Sequence, residues 1–115
     1  MLLLASQLAF SAMVEVPAFT ARVVDLTQTL SESEQAALEA KLKRFEETKG
    51  SQIAVLTVPT TQPDEIEQYS IRVVDEWKVG RKGVDDGLLL LIAKDDRKVR
   101  IEVGYGLEGA VTDLY

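Results

Sequence analysis

The sequence predicts an α/β fold, a single domain with a mixed sheet and helices packed on its faces. Three observations predict it. Short apolar runs alternate with segments of helical period along the chain. The last two runs are joined by a polar link short enough only for a hairpin. A length of 115 residues with 46% hydrophobic side chains suits one core.

The elements follow in order. Arg22 to Leu26, RVVDL, is a short strand. Ser31 and Glu34 stand at capping-box spacing, so a helix starts near Glu32. Leu38, Leu42 and Phe45 give it one apolar stripe, Glu39, Lys43 and Glu46 turn outward, and Gly50 sits where a left-handed terminator belongs. Residues 52–58, QIAVLTV, are apolar and β-branched, as a strand covered on both faces requires, and belong at the sheet centre. Pro63, Asp64 and Glu65 open a second helix, which carries Ile66, Tyr69, Val73, Val74 and Trp77 on its core face and closes at Gly80. The loop GRKGVDDG, residues 80–87, leads into the all-apolar strand Leu88 to Ala93. After the KDDRK link, Val99, Ile101 and Val103 alternate with Lys98, Arg100 and Glu102, so the last strand is expected to show one face to water. A helix then begins at Leu107.

Composition removes whole classes of chemistry. The chain has no histidine and no cysteine, which excludes a Ser-His-Asp triad, a thiolate nucleophile and a zinc site of the usual nitrogen and sulfur type. Oxygen ligands remain, so a bound metal is expected to be a hard cation, Ca²⁺ or Mg²⁺. A net charge of -6 repels polyanions and argues against nucleic acid as a partner. Residues 1–16 read as a signal-peptide remnant or lead segment, with an apolar run from Leu2 to Phe10 followed by Ser11 and Ala12, although no Lys or Arg precedes the run. Export is the resulting expectation. No stretch reaches the length of a membrane span.

Gly104, Gly106 and Gly109 have the spacing of a dinucleotide-binding loop, but such a loop must follow the first strand of a parallel βαβ unit and needs an acidic residue about 20 positions further on. Here the preceding strand is a hairpin arm and only six residues follow Gly109. The glycines are therefore expected to serve backbone conformation.

VVD at 23–25, DDG-LLLLIA from Asp85, DRKVRIEVGYGLEG from Asp96 and TD at 112–113, in this order, resemble the TPM domain family. The resemblance covers residues 17–115. It implies an α/β/α sandwich with a short mixed sheet and a divalent cation, usually calcium, in an acidic cleft beside the loops. Relatives of this kind include exported bacterial and thylakoid-lumen proteins and auxiliary proteins of acetylcholine receptors. Some are described as acid phosphatases, and others as scaffolding or assembly factors. Because the family domain normally continues past TDLY, this chain is expected to lack its C-terminal helices.

The candidate metal ligands are Asp86, Glu108 and Asp113, which match the family motif, with Asp85 and Asp25 beside them. A hairpin returns to its starting edge, so acids before its first strand and after its second can converge, and their mutual repulsion favours a cation between them. The plainer roles are an Asp-Gly turn at Asp86, a helix N-terminal charge at Glu108 and a solvated or capping Asp113. Arg81 and Lys82 lie beside the acid pair, where they are placed either to receive a phosphate oxygen or simply to offset charge. Calcium acidifies water weakly, so an exported calcium-binding interaction module with a protein partner is expected ahead of a metal-dependent phosphomonoesterase or a ligand-free structural domain.

Overall fold

A computed structural model describes residues 13–80 and 86–104. Its elements are β1 (Val23–Asp25), α1 (Glu32–Lys49), β2 (Gln52–Val58), α2 (Ile66–Trp77), β3 (Gly87–Ala93) and β4 (Lys98–Val103). They build one mixed sheet in the order β1-β2-β3-β4, with β1, β2 and β3 parallel and β4 antiparallel to β3. The α/β fold read from the sequence is the fold observed.

Local chemistry sets the ends of α1. The Ser31 side chain accepts from the Glu34 backbone N–H at 3.1 Å, and Glu34 accepts from the Ser31 N–H at 2.8 Å. Gly50 closes the helix at φ 87°, and its N–H reaches the Glu46 carbonyl. Ser31→Ala removes a cap and is expected to cost about 1 kcal/mol, read as a lower urea midpoint at unchanged slope.

The second helix departs from the expected ends. Asp64 N–H bonds the Thr61 carbonyl at 3.0 Å and the Thr61 hydroxyl bonds the Asp64 carbonyl at 3.1 Å, so a turn claims Pro63 and Asp64 and the helix begins only at Ile66. It ends at Lys78, held at φ 52° with its N–H on the Val74 carbonyl, two residues before Gly80.

Residues 23 and 55 lie on one face of the sheet with Leu42 of α1, while residues 24, 54, 56 and 58 lie on the other with Ile66, Tyr69, Val73 and Trp77 of α2. One helix per face makes the sandwich. Because the strands follow one another in sequence order while their connecting helices take opposite faces, the two crossovers turn with opposite hands, and one of them runs against the right-handed rule.

Glu39 and Glu46 do not simply face solvent. They clamp Arg22 at 3.0 Å each, and their hydrogen bonds raise its pKa further. Glu39 also accepts from the Val23 N–H and Gln35 donates to the Val23 carbonyl, so side chains of α1 satisfy the open edge of β1. Phe45, expected in the stripe, is 38% exposed.

The packed unit extends before Pro17. Val14, Val16 and Phe19 lie against the core, Phe19 stacks on Trp77 at 4.4 Å, and the carbonyls of Val14, Glu15 and Pro17 accept from Arg72, Tyr69 and Trp77. Among the described residues no helix is long and apolar enough to cross a membrane.

The alternation along β4 is present, but its faces are assigned the other way from the expectation. Arg100 and Glu102 lie opposite Leu91 and Leu89, on the side covered by α2, where Glu102 accepts from the fully buried Ser70 at 2.8 Å and from Arg100 at 3.2 Å. No described helix covers the apolar row, and Val99 at its outer end is 63% exposed. The reason is the reach of the helices: α2 packs on β3 and β4, whereas α1 packs on β1 and β2.

Candidate cation site at the sheet end

Four segments meet where β3 begins. Gln52, the first residue of β2, pairs in register with Gly87, and its side-chain oxygen accepts from the Gly80 N–H at 2.8 Å. Gly80 and Gly87 bring their backbones into contact. A Cβ on Gly80, which sits at φ 105°, would lie 2.5 Å from the Gly87 nitrogen, and one on Gly87 would lie 2.4 Å from the Val79 carbonyl group. Gly80 and Gly87, which flank residues 81–85, therefore form a closed neck that only glycine permits.

Asp86 stands at this neck and is 3% exposed, so it is not one of the solvated carboxylates usual on loops. Across the hairpin, the Gly104 N–H donates to the Gly87 carbonyl at 2.8 Å. The end of β4 is thus tied to the residue that follows Asp86, and the chain enters residues 105–115 from this spot. Asp85, Glu108 and Asp113, with Arg81, Lys82, Tyr105, Gly106 and Gly109, lie outside the described residues.

Asp25 is elsewhere. It pairs with Thr57 near the far end of β2, whereas Gly87 pairs with Gln52 at its start. Five residues of strand separate the two levels, about 16 Å. Ligands to one calcium lie about 2.3–2.6 Å from it, so Asp25 does not share an ion with Asp86. Its oxygens have other partners. One accepts from the hydroxyls of Thr57 and Thr27 and from the Thr27 N–H, and the other from the Leu30 N–H at 2.7 Å. Burial pushes this carboxyl up, but the bonds from Thr57, Leu30, Thr29 and Thr27 outweigh it and hold the group well below the usual carboxylate range. This is the arrangement of a structural acid that folds the β1–α1 connection and presents Ser31 as a cap.

Among the described residues, no group of three or more acidic side chains is placed to hold a metal. Two open surface depressions lie away from the neck, one lined by Glu65, Ile66, Glu67, Lys98 and Val99 and one beneath residues 13–16 beside Arg72 and Glu76. The Gly80–Gly87 contact and the part played by Gln52 were not visible in the sequence, which shows glycines in a loop but not which of them touch. As an antiparallel hairpin arm, β4 has the wrong direction for the first strand of a dinucleotide-binding unit.

A family model for the TPM domain matches residues 23–115. The chain belongs to the TPM-domain family. The solution structure of the N-terminal domain of a protein from P. gingivalis is similar at 32% identity and a TM-score of 0.70, over 78% of this chain and 57% of that one. The N-terminal domain of the cg2496 protein from Corynebacterium glutamicum superposes with a TM-score of 0.64 at 18% identity, over 90% of this chain and 65% of that one, and shares the fold. The present TPM chain therefore spans less than two thirds of either structure. Comparison with curated protein sequences gives no significant match.

Proposed function

We propose that this TPM domain is an exported interaction module whose engagement of a protein partner depends on a divalent cation, calcium ahead of magnesium, held at the sheet end by Asp86 together with Asp85, Glu108 and Asp113. The observation that carries the reading is the 2.8 Å Gly104–Gly87 hydrogen bond, which seats the last described residue before 105–115 against the residue that follows Asp86. The donor chemistry fits a hard cation, since the chain offers carboxylate and carbonyl oxygens and neither imidazole nor thiolate. When bound, such an ion would neutralise the acids that this reading gathers at the sheet end and fix the two segments relative to each other. Calcium is a weak activator of water, which favours this structural use over hydrolysis. The apolar run at Leu2 to Phe10 supports export.

Calcium titration is expected to raise the melting temperature of the wild type, and Asp86→Asn combined with Asp113→Asn is expected to abolish the rise. No rise at millimolar calcium in the wild type, or an equal rise in the double variant, contradicts the proposal. Aryl-phosphate release by the wild type that requires both the cation and these acids would favour phosphomonoester hydrolysis in its place.

A further inference from the structure

Residues 13–20 form neither helix nor strand, yet they lie packed against the α2 side of the core. Three side chains of α2 each donate to a main-chain carbonyl of this strap: Arg72 Nη2 to Val14 at 3.1 Å, the Tyr69 hydroxyl to Glu15 at 2.8 Å and Trp77 Nε1 to Pro17 at 2.7 Å. Val14 and Val16 pack on the core beside them, and Phe19 stacks on Trp77 at 4.4 Å with the rings 5° from parallel. Tyr69 and Trp77 are buried donors, and the strap supplies their acceptors. The family match begins at residue 23, so the strap stands ahead of it.

The strap limits where an exported precursor can be cut. Leader peptidases take small residues one and three positions before the bond they hydrolyse, shortly after an apolar run. After the run from Leu2 to Phe10, Ala9 and Ser11 stand at this spacing before Ala12, and a looser pair, Val16 and Ala18, stands before Phe19. The fold separates the two. A cut before Phe19 carries off all three carbonyl acceptors together with Val14 and Val16, which strips the donors of α2 and opens the core on that side. A cut before Ala12 leaves every one of these contacts in the mature chain.

We propose that export processing hydrolyses the Ser11–Ala12 bond, and that residues 13–19 stay with the mature domain as a strap closing the α2 side of its core. Water adds across the bond: its oxygen becomes part of the Ser11 carboxylate, and a proton goes to the Ala12 nitrogen, the new N-terminus. The leader is thus residues 1–11, shorter than the 1–16 expected from the sequence. Cutting here rests on the export reading and is independent of any cation at the neck.

The test is to express the full chain in an exporting bacterial host and read the recovered protein by intact mass and N-terminal sequencing. A start at Ala12 is expected, and A9R together with S11R is expected to leave the chain uncut. Thermal unfolding then compares chains starting at Ala12 and at Phe19: the shorter is expected to melt about 10 °C lower or not to fold, with fluorescence of the single tryptophan, Trp77, shifted to the red. In the chain from Ala12, Y69F removes the donor to the Glu15 carbonyl and is expected to lower the melting temperature by about 5 °C. Exported protein cut at Phe19 or beyond, equal stability of the two chains, or a neutral Y69F overturns the proposal and leaves export standing. Uncut protein retained in the cytoplasm contradicts both.

Discussion

Gly87→Ala is expected to destabilise the domain by about 3 kcal/mol, close to the upper end of what a single added methyl does in a packed interior. The added carbon would lie 2.4 Å from both the carbon and oxygen of the Val79 carbonyl and 2.6 Å from the Gly80 nitrogen. All three atoms are backbone, so no rotamer change relieves the overlap, and β3 is held on both sides by β2 and β4. Relief would require opening the neck, with loss of the Gly104–Gly87 and Gly80–Gln52 hydrogen bonds. Gly50→Ala is a useful reference, because that glycine sits at φ 87° as a helix terminator and its replacement costs only the left-handed backbone, about 1–2 kcal/mol. Chemical denaturation of the two variants measures the difference. A loss below 1 kcal/mol at Gly87 would mean that the neck is not closed.

Asp25→Asn is expected to cost about 2–3 kcal/mol at neutral pH, although it changes one atom. An asparagine oxygen can still accept from Thr57 and Thr27, but the amide nitrogen then faces the Leu30 N–H, donor against donor, or the ring of bonds is broken on the other side. The pH dependence has a definite sign. The folded carboxyl is held below its unfolded value, so its contribution is complete above that value, about 3.9, and is lost as the pH falls through it toward the folded value. The wild type should therefore lose stability more steeply than the variant as the pH falls below about 4, and the two curves should converge in strong acid. Parallel curves over that interval would show that Asp25 does not carry the effect.

The parts of the fold that were legible in the sequence are those written in local chemistry. The Ser31–Glu34 box, Gly50 and the β-branched run of β2 each act on neighbours within a few residues, and each appears where it was expected. The ends of α2 were misread because Pro63 is compatible with a turn as well as a first helical residue, and the hydrogen bonds of Thr61 and Asp64 decide for the turn. The face of β4 was misread for a different reason. Alternation fixes which residues lie together but not which helix lies above them, and it is Ser70 of α2 that draws Glu102 inward. At the site, the antiparallel hairpin brings Gly104 back to Gly87, the residue after Asp86, while Asp85, Glu108 and Asp113, expected to converge there, lie outside the described residues. Asp25 was grouped with those acids for its place at the end of the first strand, and the parallel register of β1 and β2 puts it at the opposite end of the sheet from Asp86.

That separation defines the most direct measurement. Substoichiometric Mn²⁺ added to the ¹⁵N-labelled chain broadens amide signals close to the bound ion, and manganese takes the same oxygen ligands as calcium and magnesium. A cation held at the neck predicts loss of the Asp86, Gly87 and Gly104 signals first, with those of Thr27, Leu30 and Thr57 still sharp, and calcium should restore them in competition. Broadening centred on Thr27 and Thr57, or spread evenly over the acidic surface, would contradict it.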